Sequence, residues 1–197
     1  MTTESLRPLP TSDFTEHPAS GAEVYQGELL RVHSDLVILP DGQHANREYI
    51  RHPGAAAILA LTDDEQVVLE WQFRYPAARH YVEIPAGKLD AGEPPQQAAR
   101  RELREETGWV ASHWELLVEH DVAIAYSNER IHIYLATGLV AGTAHRDEEE
   151  FLECFLLPFD EALAWLDAGR ITDSKTKWHC SPTIACAAHG ADVSDSR

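Results

Sequence analysis

Apolar positions along the chain fall into short runs suited to strands, interrupted by one long charged stretch of helical character. Residues 1–20 mix Pro, Ser, Thr and charge without a period and predict a mobile arm. The runs at 29–32 and 36–39 predict strands, Pro40-Asp41-Gly42 a turn, and the alternation at 47–51 a further strand, together a small antiparallel sheet. Segments 55–61 and 66–72 are two apolar strands joined by a turn at Thr62-Asp63-Asp64-Glu65. Residues 81–84 form a short strand leading into Pro85-Ala86-Gly87, and 114–122, 131–139 and 153–157 are again strand-like. Asp160 is predicted to cap a helix running to Asp167 and stopped by Gly169. Asp173 is predicted to cap a last helix that Pro182 should bend or interrupt, and the tail beyond Gly190 reads as loose. Mixed strands with few helices predict an α/β sandwich. The domain plan is an arm at 1–20, a β subdomain at 21–52, a main domain at 53–190 and a tail at 191–197.

The charged stretch, residues 87–109, is GKLDAGEPPQQAARRELREETGW. Pro94 and Pro95 suit a first helical turn, where no N–H is needed, and Gly108 suits the end, where φ > 0 is common. Glu102, Glu105 and Glu106 stand at i, i+3 and i+4, on one helical face. Like charges so placed repel by a few tenths of a kcal/mol per pair. A hard divalent cation reverses that sign, and Mg²⁺ commonly uses a few carboxylates completed by water and phosphate oxygens. The plainer alternative is a solvated helix in which Arg100, Arg101 and Arg104 screen the glutamates.

Charge and cysteine usage narrow the chemistry. At 197 residues the chain fits one domain or a core with a small appendage. A formal charge of −17 disfavours nucleic acid as a partner and makes a small anionic substrate depend on local cations. No apolar run is long enough to span a membrane, and the start lacks the apolar core of a signal peptide. Cys154, Cys180 and Cys186 form no CxxC pair, so reduced thiols in a cytoplasmic protein are expected. The 11 histidines show no HExxH or comparable zinc spacing.

Gly87, Glu93, Arg101, Glu102, Glu105, Glu106 and Gly108 reproduce a long gapped pattern that resembles the Nudix box of pyrophosphohydrolases, with Trp109 standing where that family usually has an aliphatic residue. The resemblance implies an α/β/α sandwich and a metal-dependent attack of water on a diphosphate, with Mg²⁺ as cofactor and Mn²⁺ as substitute. By position it implies Glu102, Glu106 and Glu105 as metal ligands with the carbonyl of Ala86, Glu105 also as a catalytic candidate, and Glu93 paired with Arg101 to hold the loop on the helix in preference to serving as a ligand. Three further segments resemble the ADP-ribose and nucleoside diphosphate sugar branch: Glu83-Ile84-Pro85-Ala86-Gly87-Lys88-Leu89-Asp90, Trp71-Gln72-Phe73-Arg74-Tyr75-Pro76 and Ile171-Thr172-Asp173-Ser174-Lys175-Thr176.

That branch implies a homodimer with exchanged N-terminal sheets and a catalytic glutamate in an acidic loop. Glu150 matches its place best and Glu148 next, although the acidic run 147–150 also reads as a solvated loop. Arg74 is expected at the diphosphate or base, Arg47 or Arg51 at the partner's site, Phe73 or Tyr75 against a base, and Glu129 on the ribose side. Arg47 reads equally well as a surface strand residue, and a strand aromatic is more often core. Ile124 stands where many ADP-ribose enzymes have proline, so ADP-glucose, GDP-mannose and other nucleoside diphosphate sugars stay open. A dinucleoside polyphosphate or NADH pyrophosphatase finds no supporting segment. A non-catalytic nucleotide-sugar sensor is disfavoured by the intact glutamates.

Overall fold

The structure is a computed structural model and describes residues 7, 9–146 and 151–179. Two compact units are present, one built from residues up to Arg51 with Ala125–Ser127, the other from the remainder. In the first, β1 (His17–Gln26), β2 (Arg31–Ile38) and β3 (His44–Arg51) form an antiparallel sheet in the order β1-β2-β3. The runs at 29–32 and 36–39 mark the two ends of a single strand, β2, and overrun it by Leu29, Leu30 and Leu39. Its turn to β3 places Gly42 at φ 83°, the left-handed region glycine enters without cost, and donates Gly42 N–H to Leu39 O at 2.9 Å. β1 begins inside the stretch expected to be a mobile arm. All ten of its residues are exposed, so pairing with β2 holds it, not burial of its own side chains. Among the described residues of this unit only Val37 is buried.

The second unit contains β4 (Ala55–Ala60), β5 (Gln66–Arg74), β6 (Arg79–Glu83), β7 (Ala86–Lys88), β8 (Trp109–Asp121), β9 (Arg130–Ala141) and β10 (Leu152–Pro158). Its helices are α1 (Pro95–Glu102), α2 (Phe159–Asp167) and α3 (Ser174–His179). One sheet runs β7-β4-β9-β8 and the other β10-β5-β6. β4 pairs parallel with β9, and such a strand is covered on both faces, which is why AAAILA is continuously apolar and wholly buried. Ala55, Ala57 and Leu59 enter one core with Val67, Leu69, Phe159 and Ala162, and Ala56, Ile58 and Ala60 enter another with Ala98, Ala99 and Leu103. Helical residues thus lie on both sides of the sheets, the α/β/α arrangement. Each fully buried Leu or Ile contributes roughly 1.5–3 kcal/mol.

One local expectation changes, at the start of α2, and the turns and caps around it hold. The runs now forming β4 and β5 are joined by a turn, with Thr62 N–H on Gln66 O at 3.0 Å, yet they do not form a hairpin. Apart from a single bridge between Leu61 and Val67 they go to different sheets. α2 is entered from Pro158, not capped by Asp160. Phe159 N–H is taken by Glu65 O at 2.9 Å, which leaves Asp160 inside the first turn, where its charge still suits the helix dipole. Gly169 ends α2 at φ 71°. Asp173 does cap α3, its Oδ2 accepting Thr176 N–H at 3.0 Å. Pro182, Cys180, Cys186 and the tail lie outside the described residues. Among the described residues no helix is long and apolar enough to cross a membrane.

Candidate active site

The loop before α1 is built onto the central strand. Ala86, Gly87 and Lys88 pair with Ala57, Ala56 and Ala55, and Leu89 N–H donates to Gly54 O at 3.1 Å. Pro94 and Pro95 then start α1 without a side-chain cap. Arg101 ties loop to helix: Nε donates to Glu93 Oε1 at 3.0 Å, and Nη2 donates to Glu93 Oε2 at 2.8 Å and Lys88 O at 3.0 Å. Its remaining arm, Nη1, reaches Glu102 Oε1 at 2.7 Å and Glu105 Oε2 at 3.3 Å. A planar fork can make this set and an ammonium cannot. The hydrogen bond from Arg101 holds the Glu93 carboxyl below its ordinary range.

Regular helix stops at Glu102. Residues 103–107 widen into a π turn, closed by Gly108 N–H on Arg104 O at 2.9 Å with Gly108 at φ 79°. Such turns inside helices often mark functional positions. Glu102 and Glu106 are buried at 8% and 6% exposure, while the Glu105 side chain stays near one-third exposed. Glu106 Oε2 accepts Ala86 N–H at 3.1 Å, which brings the residue with the nominated carbonyl to the Glu106 side of the turn. A Cβ on Gly87 would sit 1.8 Å from Glu102 Oε1, so only glycine leaves room for that carboxylate.

This donor set fits a hard divalent ion in part. The oxygens are carboxylates held in a sheltered place, yet among the described residues no three His, Cys, Asp or Glu side chains converge as a finished cage. A site completed by waters and substrate phosphates needs no such cage.

A second charged cluster lies on the β5 and β6 strands. Arg74 donates Nε and Nη2 to Glu83 Oε1 and Oε2 at 2.8 and 2.9 Å. Lys175 Nζ donates to Glu83 Oε2 and lies 3.2 Å from Asp173 Oδ2. Thr176 Oγ1 accepts Ile84 N–H at 3.0 Å and donates to Asp173 Oδ2 at 2.6 Å, so the start of α3 is stitched to the strand feeding the glutamate loop. Burial pushes the Glu83 carboxyl up, but the Arg74 fork and the Lys175 charge outweigh it and hold it at about 2. Glu70, paired in register with Glu83, has no such fork. Burial raises its carboxyl to about 7, Lys175 opposing and Glu83 adding to the rise.

The expected substrate residues separate by place. Arg74 is half-exposed with Nη1 carrying no protein hydrogen bond among the described residues, and the charge of Glu106 reaches it. Phe73 is exposed and meets His80 edge-on at 5.2 Å. Neighbours in a strand face opposite ways, so Phe73 does not share the Arg74 face. Tyr75 is 87% exposed in a short 3₁₀ turn after β5. Arg47 is bound to Glu16, and Arg51 lies 3.3 Å from Tyr49 Oη, both within the first unit. Glu129 lies 3.9 Å from His52 Nδ1, beside Asn128, whose Oδ1 accepts His52 N–H at 2.8 Å. Ile124 is exposed. Glu148 and Glu150 lie outside the described residues.

Sequence reading passed over Glu70 and Arg146, took Cys154 only as a reduced thiol, and took Glu83 and Lys175 only as parts of longer segments. A charge inside the apolar run VVLEW was the one signal for Glu70. Nothing local marks Arg146, whose partners lie on other elements.

A model of the NUDIX domain family matches residues 51–177. A methanol dehydrogenase activator of Bacillus methanolicus is 41% identical over 165 residues, 83% of this chain and 89% of that protein. An ADP-ribose pyrophosphatase of Bacillus subtilis (strain 168) is 36% identical over 158 residues, 79% of this chain and 85% of that protein. The crystal structure of an ADP compounds hydrolase superposes with a TM-score of 0.78, covering 92% of this chain and 100% of that one at 19% identity, a likeness of fold alone.

Proposed function

The chain belongs to the Nudix domain family, and on that premise we propose that it hydrolyses the diphosphate of ADP-ribose or a related nucleoside diphosphate sugar with a divalent metal. The carrying observation is the pair of sheltered carboxylates, Glu102 and Glu106, held at a π turn by Arg101 and by the Ala86 amide. Nudix pyrophosphatases generally need a divalent metal, and Mg²⁺, with Mn²⁺ as substitute, is the ion we assign. When bound, it neutralises the diphosphate oxygens and makes water a better nucleophile. Glu102 and Glu106 would hold it, with Glu105 and the Ala86 carbonyl as further donors, while Glu93 and Arg101 keep the loop against the helix.

Water adds to one phosphorus, the bridging P–O bond breaks, and ADP-ribose yields AMP and ribose 5-phosphate. Arg74 offers Nη1 to a phosphate oxygen while Glu83 holds the rest of its fork, so the cation is placed before substrate arrives. Glu150, with Glu148 second, accepts the proton of the attacking water in this reading. Arg47, Arg51 and Glu129 belong to the nucleoside and ribose side of a homodimer with exchanged N-terminal sheets. The scant burial within the N-terminal sheet supports such a partner. A cytoplasmic setting is part of the same proposal.

The test is turnover of ADP-ribose, ADP-glucose, GDP-mannose, UDP-glucose, NADH and diadenosine polyphosphates with Mg²⁺ or Mn²⁺, read as phosphate released after phosphatase treatment. ADP-ribose is expected to lead. Inactivity on all of them with both ions refutes the proposal. The identity to a methanol dehydrogenase activator supports a second reading, activation of an alcohol dehydrogenase. Adding the chain to such an enzyme and finding no change in its rate removes it.

A further inference from the structure

The proposed chemistry leaves the Arg146 guanidinium without a task, although it joins three parts of the second unit. Nε donates to Glu106 O at 2.6 Å, Nη1 to Leu152 O at 3.0 Å and Nη2 to Cys154 Sγ at 3.2 Å. One residue earlier, His145 N–H donates to Glu105 O at 2.9 Å. The final carbonyls of a helical turn have no partner within the turn and form the negative end of its dipole. Here two of them, on the residues that carry the glutamate side chains, are capped by consecutive residues of the segment after β9.

That segment is also pressed against the turn. A Cβ on Gly108 would fall 2.8 Å from Ala144 N, and one on Gly142 would fall 2.7 Å from Gly108 O. On its far side the guanidinium meets a thiol. Cys154 Sγ lies 3.5 Å from Glu106 O and 3.9 Å from Glu70 Oε1.

We propose that Arg146 is a positioning residue: by capping the last carbonyls of the glutamate-bearing turn it holds that turn in its widened form and so fixes where Glu106 presents its carboxylate to the divalent ion. The proposal rests on the metal-dependent reading. A π turn is the rarer winding, and here the contacts from His145 and Arg146 fall at its end. Without the guanidinium, Glu106 O loses its 2.6 Å hydrogen bond from Nε. The turn can then tighten toward regular helix, which swings Glu105 and Glu106 about its axis. Lysine restores the charge but not three donors in one plane.

The experiment measures Mn²⁺ binding without substrate, by the electron paramagnetic resonance signal of free Mn²⁺, for the wild type, Arg146→Gln, Arg146→Lys and a charge control, Arg100→Gln. Arg100 lies over the Trp114 ring at 5.0 Å and caps nothing at the turn. Circular dichroism and melting confirm folding. Arg146→Gln is expected to bind Mn²⁺ about tenfold more weakly, in the range of other outer contacts to metal ligands. Arg146→Lys should fall between it and the wild type, and Arg100→Gln should match the wild type. In turnover assays the Mg²⁺ activation constant should rise in the Arg146 variants while the KM for ADP-ribose holds. Wild-type affinity in Arg146→Gln, an equal loss in Arg100→Gln, or full rescue by lysine overturns the proposal. The two readings fail separately: a wild type that binds Mn²⁺ but cleaves no diphosphate refutes the enzyme, whereas an active wild type beside an unaffected Arg146→Gln refutes Arg146 alone.

Discussion

Replacing Glu70 by Gln removes a carboxyl that the fold holds in an unfavourable place. It is 3% exposed on β5, opposite Glu83 on β6, and Arg74 Nε and Lys175 Nζ both donate to Glu83. Burial raises the Glu70 carboxyl from 4.5 to about 7, which corresponds to a ceiling of about 3 kcal/mol between its charged and neutral forms. Below pH 4.5 both folded and unfolded chains keep the proton, and the contribution is complete. Between pH 4.5 and 7 only the folded chain keeps it, so stability falls as pH rises, and above 7 the contribution is gone. Glutamine has the shape without the proton. The variant should therefore match the wild type near pH 5 and melt several degrees higher at pH 8, since each kcal/mol moves Tm by about 2–4 °C in a chain of this size. Glu83 does not interfere, because its carboxyl stays ionised through this window. Thermal melts in steps from pH 5 to 8 decide it. Parallel curves for both proteins, or a lower Tm for the variant at pH 8, refute the argument.

Three other perturbations have defined outcomes. Glu106→Gln should keep the fold and lower kcat by more than the roughly 100-fold reached by changes outside the ligand shell, measured with ADP-ribose and Mg²⁺. Gly87→Ala places a methyl where the Glu102 carboxylate lies, so Mn²⁺ binding should weaken while circular dichroism is preserved. Glu83→Gln leaves Lys175 short of a buried counter-charge and should cost about 3–5 kcal/mol in urea unfolding. The Glu83 contribution in the wild type, present above pH 4.5, should be lost as pH falls toward 2.

The glutamate loop and helix were legible because their determinants are local. Pro94, Pro95, Gly108 and the spacing of Glu102 to Glu106 act within a few residues of one another, and so does the Asp173 cap. The burial of β4 was readable from its unbroken apolar run. Its partners were not, because a parallel pairing with β9 joins residues far apart in the chain. The turn at 62–65 was legible, but only the assembled sheets show that it carries the chain from one sheet to the other. The π turn was hidden for a similar reason, since LREET is an ordinary helical sequence and contacts from 145 and 146 close its end. Strand pleating puts Phe73 on the face opposite Arg74, a separation that adjacency in sequence does not display. Glu70 and Arg146 acquire their roles from neighbours on other strands.

The most direct measurement is a crystal structure with Mg²⁺ and the α,β-methylene analogue of ADP-ribose, whose bridge water cannot cleave. The account predicts density for an ion at roughly 2.1 Å from carboxylate oxygens of both Glu102 and Glu106, with the analogue's phosphate oxygens completing the shell. An analogue bound with those two side chains turned away and no ion between them would contradict it.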